Sequence, residues 1–80
     1  MSAPTNQDRA RWAKDALAVF TCQTFSGDHP DTMDRNDLES AIGDLICDLM
    51  HFAVEHGFDP EGIIETARNH HAVEIMEASG

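Results

Sequence analysis

The fold is decided by residues 36–59, which read NDLESAIGDLICDLMHFAVEHGFD. Large apolar residues return here at alternating steps of four and three, the spacing of a helix face that packs against another helix. They are Leu38, Ile42, Leu45, Leu49 and Phe52, with Ile46, Met50 and Ala53 beside them. Asn36 predicts the N-terminal cap, with Glu39 as its capping-box partner. Gly57 supplies the left-handed residue that ends a helix, so we expect this helix to cover about 36–56.

A second helix follows closely. Asp59 predicts its cap and Pro60 its first position, where the missing amide hydrogen costs nothing. Apolar spacing then continues one face to about residue 77, although His71 falls on that face. Because the link between the two helices is short, they must form an antiparallel hairpin.

The N-terminal part of the chain predicts a third helix. Thr5, with Asp8 three residues later, resembles a capping box, and an apolar stripe follows at helical spacing. The stripe consists of Trp12, Ala13, Ala16, Leu17 and Phe20. This helix should cover about 5–25 and lead into a polar loop at 26–35. No stretch shows the alternation of a half-buried strand, so residues 1–80 predict one small all-α domain with helix one packed across the hairpin.

Charge is unevenly distributed along the chain. The net charge is −10, with histidines neutral. Residues 1–25 carry three basic and two acidic residues, whereas residues 26–80 carry two basic and thirteen acidic ones. We therefore expect helix one to dock on the acidic remainder, within one chain or across a dimer.

The same composition excludes several classes of protein. A strongly acidic chain lacks the Lys and Arg that displace counterions from nucleic acid, so direct nucleic-acid binding is not expected. No apolar stretch approaches a membrane span, and residues 1–8 lack the layout of a signal peptide. Two cysteines are too few for a disulfide framework. We expect a cytoplasmic protein with reduced thiols and no cofactor.

The apolar content is low for a domain of this size. Leu, Ile, Val and Phe make up one fifth of the residues, at the border below which charged chains tend to stay disordered. A second copy or another partner would complete such a core, and we expect a homodimer.

Acidic residues recur at every third position before and into helix two. Asp28, Asp31, Asp34 and Asp37 form this repeat, with Glu39 just beyond it. One interpretation is an acidic edge that engages the Arg and Lys residues of a partner. The other is a set of helix-capping acids in a solvated loop.

Helix two adds a second polar group on one face, made of Asp44, Asp48, His51 and Glu55. Carboxylates and an imidazole at this spacing could hold a divalent metal, with Asp44, Asp48 and His51 as candidate ligands. A solvated face, or an acidic contact face for a basic partner, explains the same residues. Trp12 likewise has two interpretations, an interface anchor or a filler of the intramolecular core. Neither cysteine, nor any serine, lies in a motif that indicates nucleophilic catalysis.

Residues 41–59, AIGDLICDLMHFAVEHGFD, resemble the later helices of the MazG-type nucleotide pyrophosphohydrolases. The resemblance implies an all-helical, dimer-forming hairpin in which Asp44 matches the metal-binding aspartate of a Glu-Glu-x-x-Asp motif. Ser40 and Ala41 replace its two glutamates, and helix one offers only Asp8 and Asp15 for the earlier carboxylates. Magnesium held against a triphosphate needs three or four carboxylates, so hydrolase activity is not expected.

In length, charge and the acidic repeat, the chain also resembles small acidic phage-encoded inhibitors of the DNA-mimic and anti-CRISPR kinds. That resemblance implies a non-enzymatic module that occupies a basic nucleic-acid-binding or subunit-docking surface of a partner protein. The residues expected to make the contact are Asp28, Asp31, Asp34, Asp37, Glu39, Asp44, Asp48, Glu55 and Trp12. The alternatives are a diminished MazG-type hydrolase and an architectural dimer.

Overall fold

A computed structural model describes residues 3–24 and 27–79 of the chain. Its elements are α1 (Asn6–Thr24), a short 3₁₀ helix (Pro30–Thr32), α2 (Arg35–Glu55) and α3 (Pro60–Ser79). Within the described ranges there is no strand, so the all-α prediction is confirmed. The helix bounds agree with the predicted ones to within two residues where both can be compared. The predicted end of helix one, at Phe25, lies outside the described residues.

The start of α1 is the predicted capping box. The Thr5 amide donates to Asp8 Oδ2 at 3.0 Å, and the Asp8 amide donates to Thr5 Oγ1 at 3.1 Å. Hydrogen bonding of the Asp8 carboxylate by the Thr5 backbone amide and by the Thr5 side chain, with a smaller contribution from the nearby Arg11 guanidinium, holds the pKa of Asp8 below its ordinary value. The ionised carboxylate therefore stabilises the first turn, where it also faces the positive end of the helix dipole.

The start of α2 differs from the prediction. Asp34 is the N-cap, and its Oδ1 accepts a hydrogen bond from the Asp37 amide at 2.8 Å. The predicted cap, Asn36, lies inside the first turn instead. Asp34 and Asp37 have the same spacing as Asn36 and Glu39, so the chain contains two overlapping cap signals, and the earlier one is used.

The end of α2 is a Schellman motif, as Gly57 predicts. The Phe58 amide donates to the Ala53 carbonyl at 2.9 Å, and the Gly57 amide donates to the Val54 carbonyl at 3.0 Å. Gly57 has φ +79°, in the left-handed region. This geometry satisfies the last carbonyls of α2 and turns the chain toward α3.

Two glycine substitutions test this turn. Gly57→Ala should lower the free energy of unfolding by about 1 kcal/mol, because alanine disfavours the left-handed conformation. Gly43→Ala, in the interior of α2, should raise it by about 0.5 to 1 kcal/mol through higher helix propensity. A Cβ at either glycine would meet no atom within 4 Å, so the difference is conformational. Urea denaturation of both variants measures it, and equal shifts would contradict the assignment.

The hairpin and the docking of α1 are as predicted. Asp59 Oδ1 accepts from the Glu61 amide at 3.2 Å at the start of α3, and α2 and α3 contact each other. Two ion pairs fasten α1 to the acidic remainder. Arg9 Nε lies 3.2 Å from Glu74 Oε2 on α3, and Lys14 Nζ lies 3.2 Å from Asp31 Oδ1 in the 3₁₀ helix.

The core is very small. Among the described residues, the buried side chains are those of Leu17, Thr21, Pro30, Ala41 and Ala53. The seam predicted to face a core is therefore largely uncovered within one chain, and His71 and both cysteines are exposed as well. The exposed large apolar side chains are Trp12, Val19, Ile42, Ile46, Leu49, Phe52, Val54, Phe58, Ile63, Val73, Ile75 and Met76. In the described part of the chain, no helix combines the length and apolarity needed to cross a membrane.

Candidate functional site

The predicted acidic edge, which consists of the repeat at 28–37 and Glu39, does not form one uniform surface. All of its residues are exposed, but they fall in three different elements. Asp28 precedes the 3₁₀ helix, Asp31 lies in it, Asp34 caps α2, and Asp37 and Glu39 are in the first turns of α2. The helix-capping interpretation is therefore confirmed for Asp34, whereas engagement of a partner by the exposed acids of the repeat stays a prediction.

Asp31 is partly neutralised by the chain's own cation. Its Oδ1 pairs with Lys14, and its Oδ2 lies 3.6 Å from His29 Nδ1. His29 Nδ1 also accepts a hydrogen bond from the Asp31 amide at 3.1 Å. A ring nitrogen that accepts that hydrogen carries no proton of its own, so Lys14 is the cationic partner of Asp31. This carboxylate is less available to a partner protein than the sequence repeat implied.

A different set of carboxylates forms a continuous surface. Asp37, Asp44, Asp48 and Glu55 follow one another along α2 at intervals of seven, four and seven residues, which places them on one side of the helix. We call this set the acidic stripe. It extends about 27 Å at a rise of 1.5 Å per residue, and all four residues are exposed.

The acidic stripe is free of the chain's own cations within the described residues. The Arg and Lys ion pairs there use other acids, namely Asp8, Asp31 and Glu74. Arg9, Arg11 and Lys14 are thus engaged elsewhere, and the four exposed carboxylates of the stripe form no ion pair with an Arg or Lys of the described chain. Carboxylates in that situation attract external cations, including the Lys and Arg side chains of another protein.

The metal-site alternative is not assembled within one described chain. His51 lies beside Asp48 on the same side of α2, but among residues 3–24 and 27–79 no group of three or more His, Cys, Asp or Glu side chains is arranged to hold a metal ion. Ala41, at a position where the MazG-type motif has a glutamate, is completely buried. The residues present therefore do not fit the family's magnesium site.

Trp12 does not fill the core, because its side chain is 54% exposed. This removes one of the two interpretations of the tryptophan and leaves it available as an interface anchor. Its basic neighbours are not free. Arg9 pairs with Glu74 and also donates to the Pro4 carbonyl at 2.9 Å, whereas Arg11 pairs with Asp8 at 2.9 Å.

The sequence indicated an incomplete core but not where its uncovered surface lies. An apolar groove of about 530 Å³ lies between α1 and α2, and residues expected to be core, such as Ile42, Ile46 and Leu49, line it. The low apolar content and the heptad-type spacing together indicate an apolar face that one chain cannot cover, but neither shows that α1 and α2 form the two walls of a groove.

Comparison with family models, with curated proteins and with solved structures found no match to the chain.

Proposed function

We propose that this protein is a non-enzymatic interaction module that binds a basic surface of another protein through the acidic stripe. Asp28 and Glu39 would extend the contact, and Trp12 would supply an apolar anchor. The proposed action is that of a phage-type inhibitor, which occupies a nucleic-acid-binding or subunit-docking surface of its target. The observation that carries the proposal is the row of four exposed carboxylates on α2, to which no Arg or Lys of residues 3–24 and 27–79 is paired.

The charge spacing of the stripe favours a basic protein surface over a close copy of a phosphate backbone. Four charges over about 27 Å amount to one per about 9 Å, whereas one strand of DNA carries one per about 3.4 Å. Such a stripe would accelerate association and orient the partner. Most of the binding free energy would come from buried apolar anchors, since a few desolvated side chains dominate most interfaces.

Charge reversal with a matched control tests the proposal. Asp44→Lys/Asp48→Lys removes the middle of the stripe, and Glu65→Lys/Glu77→Lys makes the same change in net charge on α3. All four positions are exposed, so neither pair should disturb folding by more than about 0.5 kcal/mol per site. Tagged wild-type and variant proteins are used to capture partners from a host lysate, the partners are identified by mass spectrometry, and binding is then measured with the purified partner.

We expect the stripe variant to lose binding by about tenfold or more, and the α3 variant to bind like wild type. Raising the salt from about 0.05 M to about 0.5 M should weaken wild-type binding, because salt screens attraction between exposed charges. Equal binding by the two variants would refute the role of the stripe. Turnover of a nucleoside triphosphate that disappears in Asp44→Asn would instead support the hydrolase alternative.

A further inference from the structure

The described chain exposes more surface than a folded monomer of its mass should. Its accessible area is 6495 Å², whereas a monomer of 8.8 kDa is expected to expose about 4,800 Å². Its radius of gyration is 14.4 Å, compared with about 11.6 Å for a compact 80-residue domain. The excess area is about 1,700 Å². The three helices have therefore left a large surface uncovered.

This excess matches the area that each subunit of a stable dimer buries. Obligate homodimer interfaces bury about 2,000 to 5,000 Å² in total, or about 1,000 to 2,500 Å² per subunit. A second copy that covers the excess would bring the surface of each chain into the normal range. It would also supply the core that five small or medium-sized buried side chains do not provide on their own.

One continuous part of the uncovered apolar surface is the groove between α1 and α2. Its apolar walls include Ala13 and Leu17 from α1 and Ile42, Leu45, Ile46 and Leu49 from α2. The charged residues that line it are Lys14 and Asp31, which neutralise each other across 3.2 Å. The groove thus has no net charge, so two copies of a strongly acidic chain can meet there without opposing carboxylates directly.

The exposed seam of α2 has the spacing that helix pairing requires. Apolar residues at alternating steps of three and four insert as knobs between the side chains of a facing helix. Ile42, Ile46 and Leu49 are each about half exposed, as expected of knobs without a facing helix. We propose that two copies of the chain pair through this seam, with α2 of each copy seated in the groove of the other.

The acidic stripe and the centre of the seam lie on different sides of α2. At 3.6 residues per turn, the positions of their residues along the helix place them about a quarter turn apart. Pairing therefore leaves both stripes of the dimer accessible at the edges of the interface. Because the two copies carry charge of the same sign, salt should strengthen their association. This is the opposite of the salt effect expected for a basic partner, so failure of the dimer and failure of the proposed function can be told apart.

Sedimentation equilibrium of the full chain tests the proposal, from about 1 to about 100 µM protein and at low and high salt, with helix content followed by circular dichroism. We expect a species of twice the 8.8 kDa chain mass whose dissociation constant falls as salt is raised. Ile46→Gln/Leu49→Gln should raise that constant by about tenfold or more, whether the released chains stay helical or unfold. Val54→Gln, at a 61% exposed position of the same helix outside the groove, should leave it unchanged.

A wild-type chain that stays monomeric and fully helical throughout this range would overturn the proposal and indicate that another molecule covers the groove. Equal dissociation constants for Val54→Gln and the double variant would overturn the assignment to the α2 seam.

Discussion

Leu17→Ala is expected to lower the free energy of unfolding by about 2 to 5 kcal/mol, the usual cost of truncating a buried leucine. Leu17 is 6% exposed and is the largest of the buried apolar side chains. It lies on α1 and also lines the groove with α2, so its removal would loosen the contact that holds α1 against the hairpin. In a domain of this size, such a loss is a large part of the total stability.

Val19→Ala provides the matched control. Val19 is on the same helix and is 64% exposed, so its truncation should change the free energy of unfolding by no more than about 0.5 kcal/mol. Urea denaturation followed by circular dichroism measures both variants at one fixed chain concentration, because the stability of a chain that associates depends on its concentration. Similar midpoints for the two variants would show that Leu17 is not part of the core.

Asp34→Ala is expected to cost about 1 kcal/mol, and up to about 2 kcal/mol, through loss of the N-cap of α2. The substitution removes the 2.8 Å hydrogen bond that the carboxylate accepts from the Asp37 amide. It also removes a negative charge from the positive end of the helix dipole. Both effects act on the helix that carries the acidic stripe and the exposed seam.

Asn36→Ala tests whether Asn36, the cap that the sequence pattern predicted, contributes to the start of α2. Asn36 lies inside the first turn of α2, where alanine has the higher helix propensity, so the substitution should be neutral or slightly stabilising. Thermal denaturation of the two variants gives the comparison. A larger loss for Asn36→Ala than for Asp34→Ala would restore Asn36 as the cap.

Much of the fold could be predicted because helix ends have strong local signals. The Thr5–Asp8 capping box, the left-handed Gly57 and the Asp59-Pro60 start of α3 all act within one helical turn, and each was identified correctly. The start of α2 was misplaced by a similar local argument. Two overlapping cap signals compete there, and the choice between them depends on the preceding 3₁₀ helix, which the sequence pattern did not reveal.

Burial could not be predicted in the same way. Periodicity shows which side of a helix is apolar, but it does not show what covers that side. The seam of α2 has the expected spacing, yet Ile46 and Leu49 are about half exposed. By contrast, Ala41 and Thr21 are completely buried. Thr21 tolerates burial since its hydroxyl donates to the Ala18 carbonyl at 3.2 Å.

Only part of the candidate site could be predicted from the sequence. The aspartates at every third position were recognised from the sequence. Their roles differ because they lie in different local structures. Asp31 pairs with Lys14 of α1, which lies 17 residues earlier in the chain. Spacing alone could not reveal this contact. The common side of Asp44, Asp48 and Glu55 could be predicted, since residues on one uninterrupted helix keep a fixed geometric relation. Asp37, however, was assigned from the sequence to the repeat and not to this side.

The first turn of α1 lies beside the later part of α3, where the Asn6 side chain donates to the Glu74 carbonyl at 3.2 Å and Pro4 and Ala78 line a common cleft. A short peptide joining residue 3 to residue 79 would therefore add little strain to the folded state, while a circular backbone would restrict the unfolded one. Cyclisation offers a way to keep this small chain folded.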